Sequence, residues 1–251
     1  MTTPTHYILC VTTSTSVTSY GANTGIWLEE LAAPYYCWQE AGYQVEICSL
    51  KGGSPPIDPG SMQADSIDEH SKRFLVDEVA QQHFQQARSL TDVIKSGDLS
   101  KYACLYLVGG HGCIEDFPDN VDIKEAVEYF YADVGGCLSA ICHGPLGLMS
   151  CTYNGTSLLK GKFVAAFSNE EQGLLGLHTV VRMSVEDCMD GAGAVCAPRA
   201  PWRPNAVVDG RLVTGQNPQS SLEVAQRVLD VLRSLGDKFN SSQNVNKPWG
   251  K

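Results

Sequence analysis

The run Tyr102-Ala103-Cys104-Leu105-Tyr106-Leu107-Val108 constrains the fold of this chain more than any other stretch. Seven apolar residues without alternation describe a strand buried on both faces, which is the environment of a central strand in a parallel sheet. Parallel strands need crossover connections, so helices must lie between them. The flanking sequence supplies both kinds of element. His6 to Val11 is a compact first strand, and from Gly25 apolar residues at Ile26, Trp27, Leu31, Ala32 and Tyr35 keep helical spacing. Asn23 or Thr24 can cap that helix and Gly42 can end it.

Further strands are expected at Tyr43–Leu50, where incomplete alternation suggests a position nearer the sheet edge, at Cys137–Ile141 and at Phe163–Phe167. Helices are expected at 73–89, 91–97, Asp122–Asp133, directly after Cys142, at Ser184–Asp190 and from Pro218 to about Leu235. Asn205–Val208 and Arg211–Thr214 flank Asp209-Gly210, a two-residue turn signal for an antiparallel hairpin. The alternation predicts an α/β fold, a doubly wound, mostly parallel sheet sandwiched by helices with a small hairpin addition. No internal repeat is present. One domain is expected over residues 1–239, followed by a polar tail at 240–251 with no core to join.

A chain of 251 residues with 43% hydrophobic content can bury a full core. Its formal net charge of −10 and the absence of any Lys/Arg cluster argue against nucleic acid or an anionic membrane as partner. No run is long enough to span a bilayer and the N-terminus lacks a signal-peptide pattern, so a cytoplasmic protein is expected. The 10 cysteines are spread through strands and helices and read as thiols. Neither they nor the histidines at 6, 70, 83, 111, 143 and 178 show metal-ligand spacing, so no metal is expected.

In open α/β sheets the reactive crevice lies beyond the carboxyl ends of the strands. Three groups fall there. Cys142 ends a strand at an elbow into an expected helix, whose N–H groups and dipole should ease ionisation of the thiol, and His143 stands beside it. Gly109-Gly110-His111-Gly112 follows the central strand; its backbone can approach a substrate, with the N–H groups of Gly110 and His143 as oxyanion donors. The third group is acidic. Ser168-Asn169-Glu170-Glu171-Gln172 can orient His143, while Glu29 reads as a solvated residue and Glu30, near Trp27 and Leu31, as a buried carboxyl able to donate a hydrogen bond to a thiolate.

Four segments carry a family resemblance: Gly25–Glu30, Gly109–Gly112 with Asp116-Phe117-Pro118, Ala140–Pro145, and Asp209–Pro218. In that order they resemble the ThiJ/PfpI superfamily, with its class I glutamine amidotransferase-like fold, and most of all its glyoxalase III and stress-chaperone branch. The resemblance runs from about residue 6 to 235. It implies a flavodoxin-like homodimer and a cofactor-independent lyase of the glyoxalase III, D-lactate dehydratase type. Such an enzyme turns a small 2-oxoaldehyde, methylglyoxal, into lactate without glutathione. By the same resemblance Cys142 is the nucleophile, His143 its partner, Glu30 the helix acid, and Glu171 or, one step on, Gln172 the third catalytic position, of which Glu171 is taken. Ala33 stands where relatives often carry histidine. Two other roles belong to the same superfamily: a stress-responsive holdase or redox sensor using Cys142, and amidase or peptidase chemistry. Against the last, His178 is the sole histidine after the elbow and lacks the His-x-Glu pattern.

Overall fold

The structure, a computed structural model, describes residues 7–177 and 181–236. His6, His178 and the tail 240–251 lie outside the described residues. In chain order the elements are β1 (Tyr7–Thr12), α1 (Leu28–Glu40), β2 (Gln44–Ser49), α2 (Glu69–Val76), α3 (Glu78–Gln85), β3 (Arg88–Ser89) and α4 (Leu90–Lys95). There follow β4 (Tyr102–Leu107), α5 (Cys113–Asp116), α6 (Val121–Tyr129), β5 (Cys137–Ile141), the small pair β6 (Thr152–Tyr153) and β7 (Thr156–Ser157), and β8 (Phe163–Val164). The last are α7 (Asn169–Leu174), α8 (Val185–Gly191), β9 (Val195–Cys196), β10 (Ala206–Asp209), β11 (Leu212–Gly215) and α9 (Ser221–Leu235).

Seven strands form the main sheet in the order β10-β11-β5-β4-β1-β2-β3, parallel except for β10. Strand β4 lies between β1 and β5 with every residue buried, as its unbroken apolar run requires. The chain leaves β1 toward β2 on one side and leaves β4 toward β5 on the other. That reversal puts a crevice at the carboxyl ends of β1 and β4. Helices α1 and α9 pack together along the sheet, and Trp38 of α1 donates its indole N–H to the Ala225 carbonyl of α9 at 3.1 Å.

Several elements differ from their sequence-based expectations for identifiable reasons. Residues Gly25–Trp27 are not helical: Ile26 forms a parallel bridge to Ile57, and the Thr24 hydroxyl bonds Asp58 instead of capping α1. The helix expected over 73–89 is two helices, because Asp77 caps the second with its side chain. Of Phe163–Phe167 only β8 is a strand, and it pairs with β9 outside the main sheet. The hairpin joins the main sheet, since β11 runs parallel to β5 from Leu212↔Leu138 to Gly215↔Ile141. A 3₁₀ turn, Gly144–Leu148, replaces the helix expected after Cys142. Pro145 and two glycines make a regular α-helix costly there.

One feature of α1 bears directly on the site. Pro34 sits inside the helix and has no N–H to give the carbonyl of Glu30. The buried Tyr106 hydroxyl of β4 donates to that carbonyl instead, at 2.7 Å.

Candidate active site

The sharp bend after β5 is made by Cys142 itself, whose φ of 57° lies in the left-handed region. For a residue with a side chain this costs roughly 1–2 kcal/mol and persists only where its surroundings enforce it. They do so here from both sides. The Cys142 N–H donates to the Gly215 carbonyl at 2.9 Å, and its carbonyl accepts from the Phe167 N–H at 3.0 Å. Gly144 must follow so closely that a Cβ there would stand 2.3 Å from the Leu107 carbonyl oxygen.

His143 is fully buried, and its Nδ1 lies 3.1 Å from the Cys142 Sγ. Its ring stacks on Phe167 with centroids 4.7 Å apart and stands 4.5 Å from the ring of His111. Burial, and then the neighbouring His111, push the His143 imidazole well below the usual histidine range, so it is neutral at ordinary pH. His111 is lowered by burial too, opposed by Asp58, whose Oδ2 is 3.9 Å from His111 Nδ1.

Glu30 reaches the same point from the first turn of α1. Its carboxyl is buried, and neither oxygen has a hydrogen-bond partner in strict geometry among the described residues. The Cys142 thiol and the Gly109 backbone are nonetheless the groups that pull its pKa down against the dominant effect of burial, which raises it well above the carboxylate range. Contact is so close that a Cβ on Gly109 would lie 2.3 Å from Glu30 Oε2 and 2.9 Å from the Cys142 Cβ. Glycine at 109 is therefore a packing requirement.

The easily ionised thiol expected from the sequence is a correction: burial first, and then the charge of Glu30 where that carboxyl is ionised, raise the Cys142 thiol well above the ordinary range. The long helix that would have favoured its anion is absent. Glu29 also differs from its solvated reading, for burial and then Asp68 push it up to about 8.

Glu171 requires a second correction. It is buried, yet no hydrogen bond joins it to His143, whose Nε2 is unpartnered among the described residues. Its two oxygens instead accept from the Ser168 N–H and hydroxyl, the Gln216 Nε2, the Trp202 N–H and the Asn217 Nδ2. Five donors from three segments fill the carboxylate, so it closes a capping box on α7 and ties Trp202 and Asn217 to it. Gln172, the alternative position, is buried and also makes no hydrogen bond to His143.

Gly110, His111, Cys142 and His143 line one cavity of about 460 Å³, shared with Trp27, Asp58, Phe167, Leu175, Leu177 and Trp202. Gly110 has a φ of 117° and passes Gly25 so tightly that a Cβ would lie 2.4 Å from the Gly25 oxygen. Among the described residues neither the Gly110 nor the His143 N–H donates to another protein group, which leaves both amides for a ligand oxygen. Asp58, Phe167, Tyr106 and Trp202 were not legible as site residues. The one available signal was an aromatic residue between two prolines, Pro201-Trp202-Arg203-Pro204, in a stretch with no periodicity. No set of three or more His, Cys, Asp or Glu side chains able to hold a metal occurs among the described residues. No helix among them is long and apolar enough to cross a membrane.

Comparison with known proteins finds relatives of this chain in sequence and fold. The model of the DJ-1/PfpI family matches residues 22–231. A Candida albicans protein named glyoxalase 3 is 30% identical over 233 residues, spanning 88% of this chain and 96% of the relative. A Saccharomyces cerevisiae protein named glutathione-independent glyoxalase HSP31 is 28% identical over 223 residues, spanning 86% and 92%. The X-ray structure of the Francisella tularensis Rapid Encystment Protein of 24 kDa superposes with a TM-score of 0.84 at 34% identity, covering 90% of this chain and 99% of that one.

Proposed function

The chain belongs to the DJ-1/PfpI family, and from that premise we propose that it is a glutathione-independent glyoxalase, converting a 2-oxoaldehyde such as methylglyoxal into the corresponding 2-hydroxy acid. The observation that carries the reading is the 3.1 Å approach of Cys142 Sγ to His143 Nδ1 at a strained elbow opening on a cavity. The names of the fungal relatives support it.

In this reading the neutral His143 takes the thiol proton as the sulfur adds to the aldehyde carbon, forming a C–S bond and breaking the C=O π bond. The new oxyanion lies against the Gly110 and His143 N–H groups and receives that proton, giving a hemithioacetal. His143 then removes the proton from the former aldehyde carbon to give an enediolate and returns it to the adjacent carbonyl carbon, while the hydroxyl proton of the former aldehyde oxygen passes to the neighbouring oxygen. A thioester results, and water releases the 2-hydroxy acid and restores the thiol. Glu30, neutral through burial, donates a hydrogen bond to the sulfur while it carries charge. These steps call on no metal or organic cofactor. The homodimer belongs to the same proposal and rests on family likeness alone.

Lactate formation from methylglyoxal without added thiol tests the reading. Cys142→Ala should abolish it, and undiminished turnover in that variant overturns the mechanism.

A further inference from the structure

The cavity is much larger than the handful of heavy atoms in methylglyoxal needs. At about 460 Å³ it suits a ligand of drug-like size. Beyond the reacting pair its large apolar side chains are Trp27, Phe167, Leu175, Leu177 and Trp202, with the uncharged polar Gln63, Ser66 and Gln219 elsewhere on the wall, and Asp58 is the one acidic side chain among the described lining residues. Among the described lining residues an anionic substrate would meet a carboxylate and no Lys or Arg. A flat apolar group would meet aromatic faces.

Trp202 is the distinctive member of this wall. It is 39% exposed, an unfavourable state for so large an apolar ring, and its φ of 60° is in the left-handed region, which bulky residues avoid. Both costs are held in place by the knot around Glu171. The carboxylate accepts the Trp202 N–H at 2.9 Å and the Asn217 Nδ2 at 2.7 Å, and the same Asn217 amide donates to the Arg203 carbonyl at 3.0 Å. The indole stands 6.0 Å from the Phe167 ring, which stacks on His143. A backbone outlier fixed by a buried carboxylate, holding an aromatic face beside the reacting imidazole, is a built feature.

We propose that Trp202 is a specificity-determining residue, providing with Phe167 a shelf for the side chain of an uncharged apolar or aromatic 2-oxoaldehyde. Aryl-substituted glyoxals are then preferred to methylglyoxal, and carboxylate-bearing ones are disfavoured. Glu171 acts as the positioning residue for that shelf. The inference rests on the glyoxalase reading above.

The experiment compares kcat/KM of the full chain for phenylglyoxal, methylglyoxal and 4,5-dioxopentanoate, followed as 2-hydroxy acid produced without thiol. The wild type should favour phenylglyoxal over methylglyoxal by roughly ten-fold, ~1.4 kcal/mol, and methylglyoxal over the anionic compound. Trp202→Ala should remove most of the phenylglyoxal preference through KM, and Trp202→Phe should retain it. Thermal melts check folding, and if Trp202→Ala does not fold, Trp202→Leu against Trp202→Phe makes the same comparison of an aliphatic with an aromatic face. A wild type that prefers methylglyoxal or the anion, or a preference unchanged in the alanine or leucine variant, overturns the shelf. Failure of the wild type to turn over any of the three overturns the glyoxalase reading, whereas turnover without selectivity overturns this inference alone.

Discussion

The Tyr106 hydroxyl donates a 2.7 Å hydrogen bond to the backbone carbonyl of Glu30. Pro34 leaves that carbonyl without its helical donor, so one residue of the central strand repairs α1 at the turn that carries the site carboxyl. The repair fixes the distance between helix and strand where Glu30, Gly109 and Cys142 meet.

Replacing Tyr106 with Phe should cost about 1–3 kcal/mol, because the Glu30 carbonyl loses the hydroxyl that donates to it. Urea unfolding measures the loss. Adding Pro34→Ala should recover part of it, since Ala at 34 can supply the missing N–H. A Tyr106→Phe protein as stable as the parent, or one that Pro34→Ala leaves unrescued, would show that this bond is not the link.

The left-handed backbone of Cys142 yields a comparison of two variants at that position. Cys142→Gly should be more stable than Cys142→Ala by about 1 kcal/mol, because glycine adopts φ near 57° without strain. Matched denaturation curves decide the matter, and greater stability of the alanine form would mean that the elbow stores no strain.

The charge of Glu30 sets the sign of a third expectation. An ionised Glu30 would hold the Cys142 thiol up, but burial keeps the carboxyl neutral, and a neutral carboxyl stabilises the thiolate by donation, so Glu30→Leu should move the pH midpoint of iodoacetamide alkylation at Cys142 upward by about one unit. Peptide mass spectrometry separates Cys142 from the other thiols. If the midpoint moved down, the carboxyl would be ionised in the resting protein.

Glu29 connects burial to pH-dependent stability. Its native pKa of about 8 exceeds the ordinary 4.5, so the native state holds more protons than the unfolded chain between those values. Its stabilising contribution is complete below about 4.5 and is lost as pH rises through about 8. Glu30 acts in the same direction. Denaturation from pH 5 to 9 should show falling stability, with a shallower fall in Glu29→Gln; an equal slope in that variant would remove Glu29 as the cause.

The sequence by itself determined the layered α/β order, because unbroken apolar runs such as Tyr102–Val108 have no stable place except a sheet covered on both faces. It also placed Cys142, His143 and the Gly109-Gly110 turn together, since each directly follows a strand and parallel strands end on one side. What it left open was every contact between segments distant along the chain. Tertiary structure alone decided that Glu171 would be filled by donors from residues 168, 202, 216 and 217 and so serve Trp202 instead of His143. It alone made burial outweigh every local influence on the Cys142 thiol. Local patterns follow from spacing along one strand or helix, but the partner of a buried charge depends on which remote groups the packed core brings within hydrogen-bond reach.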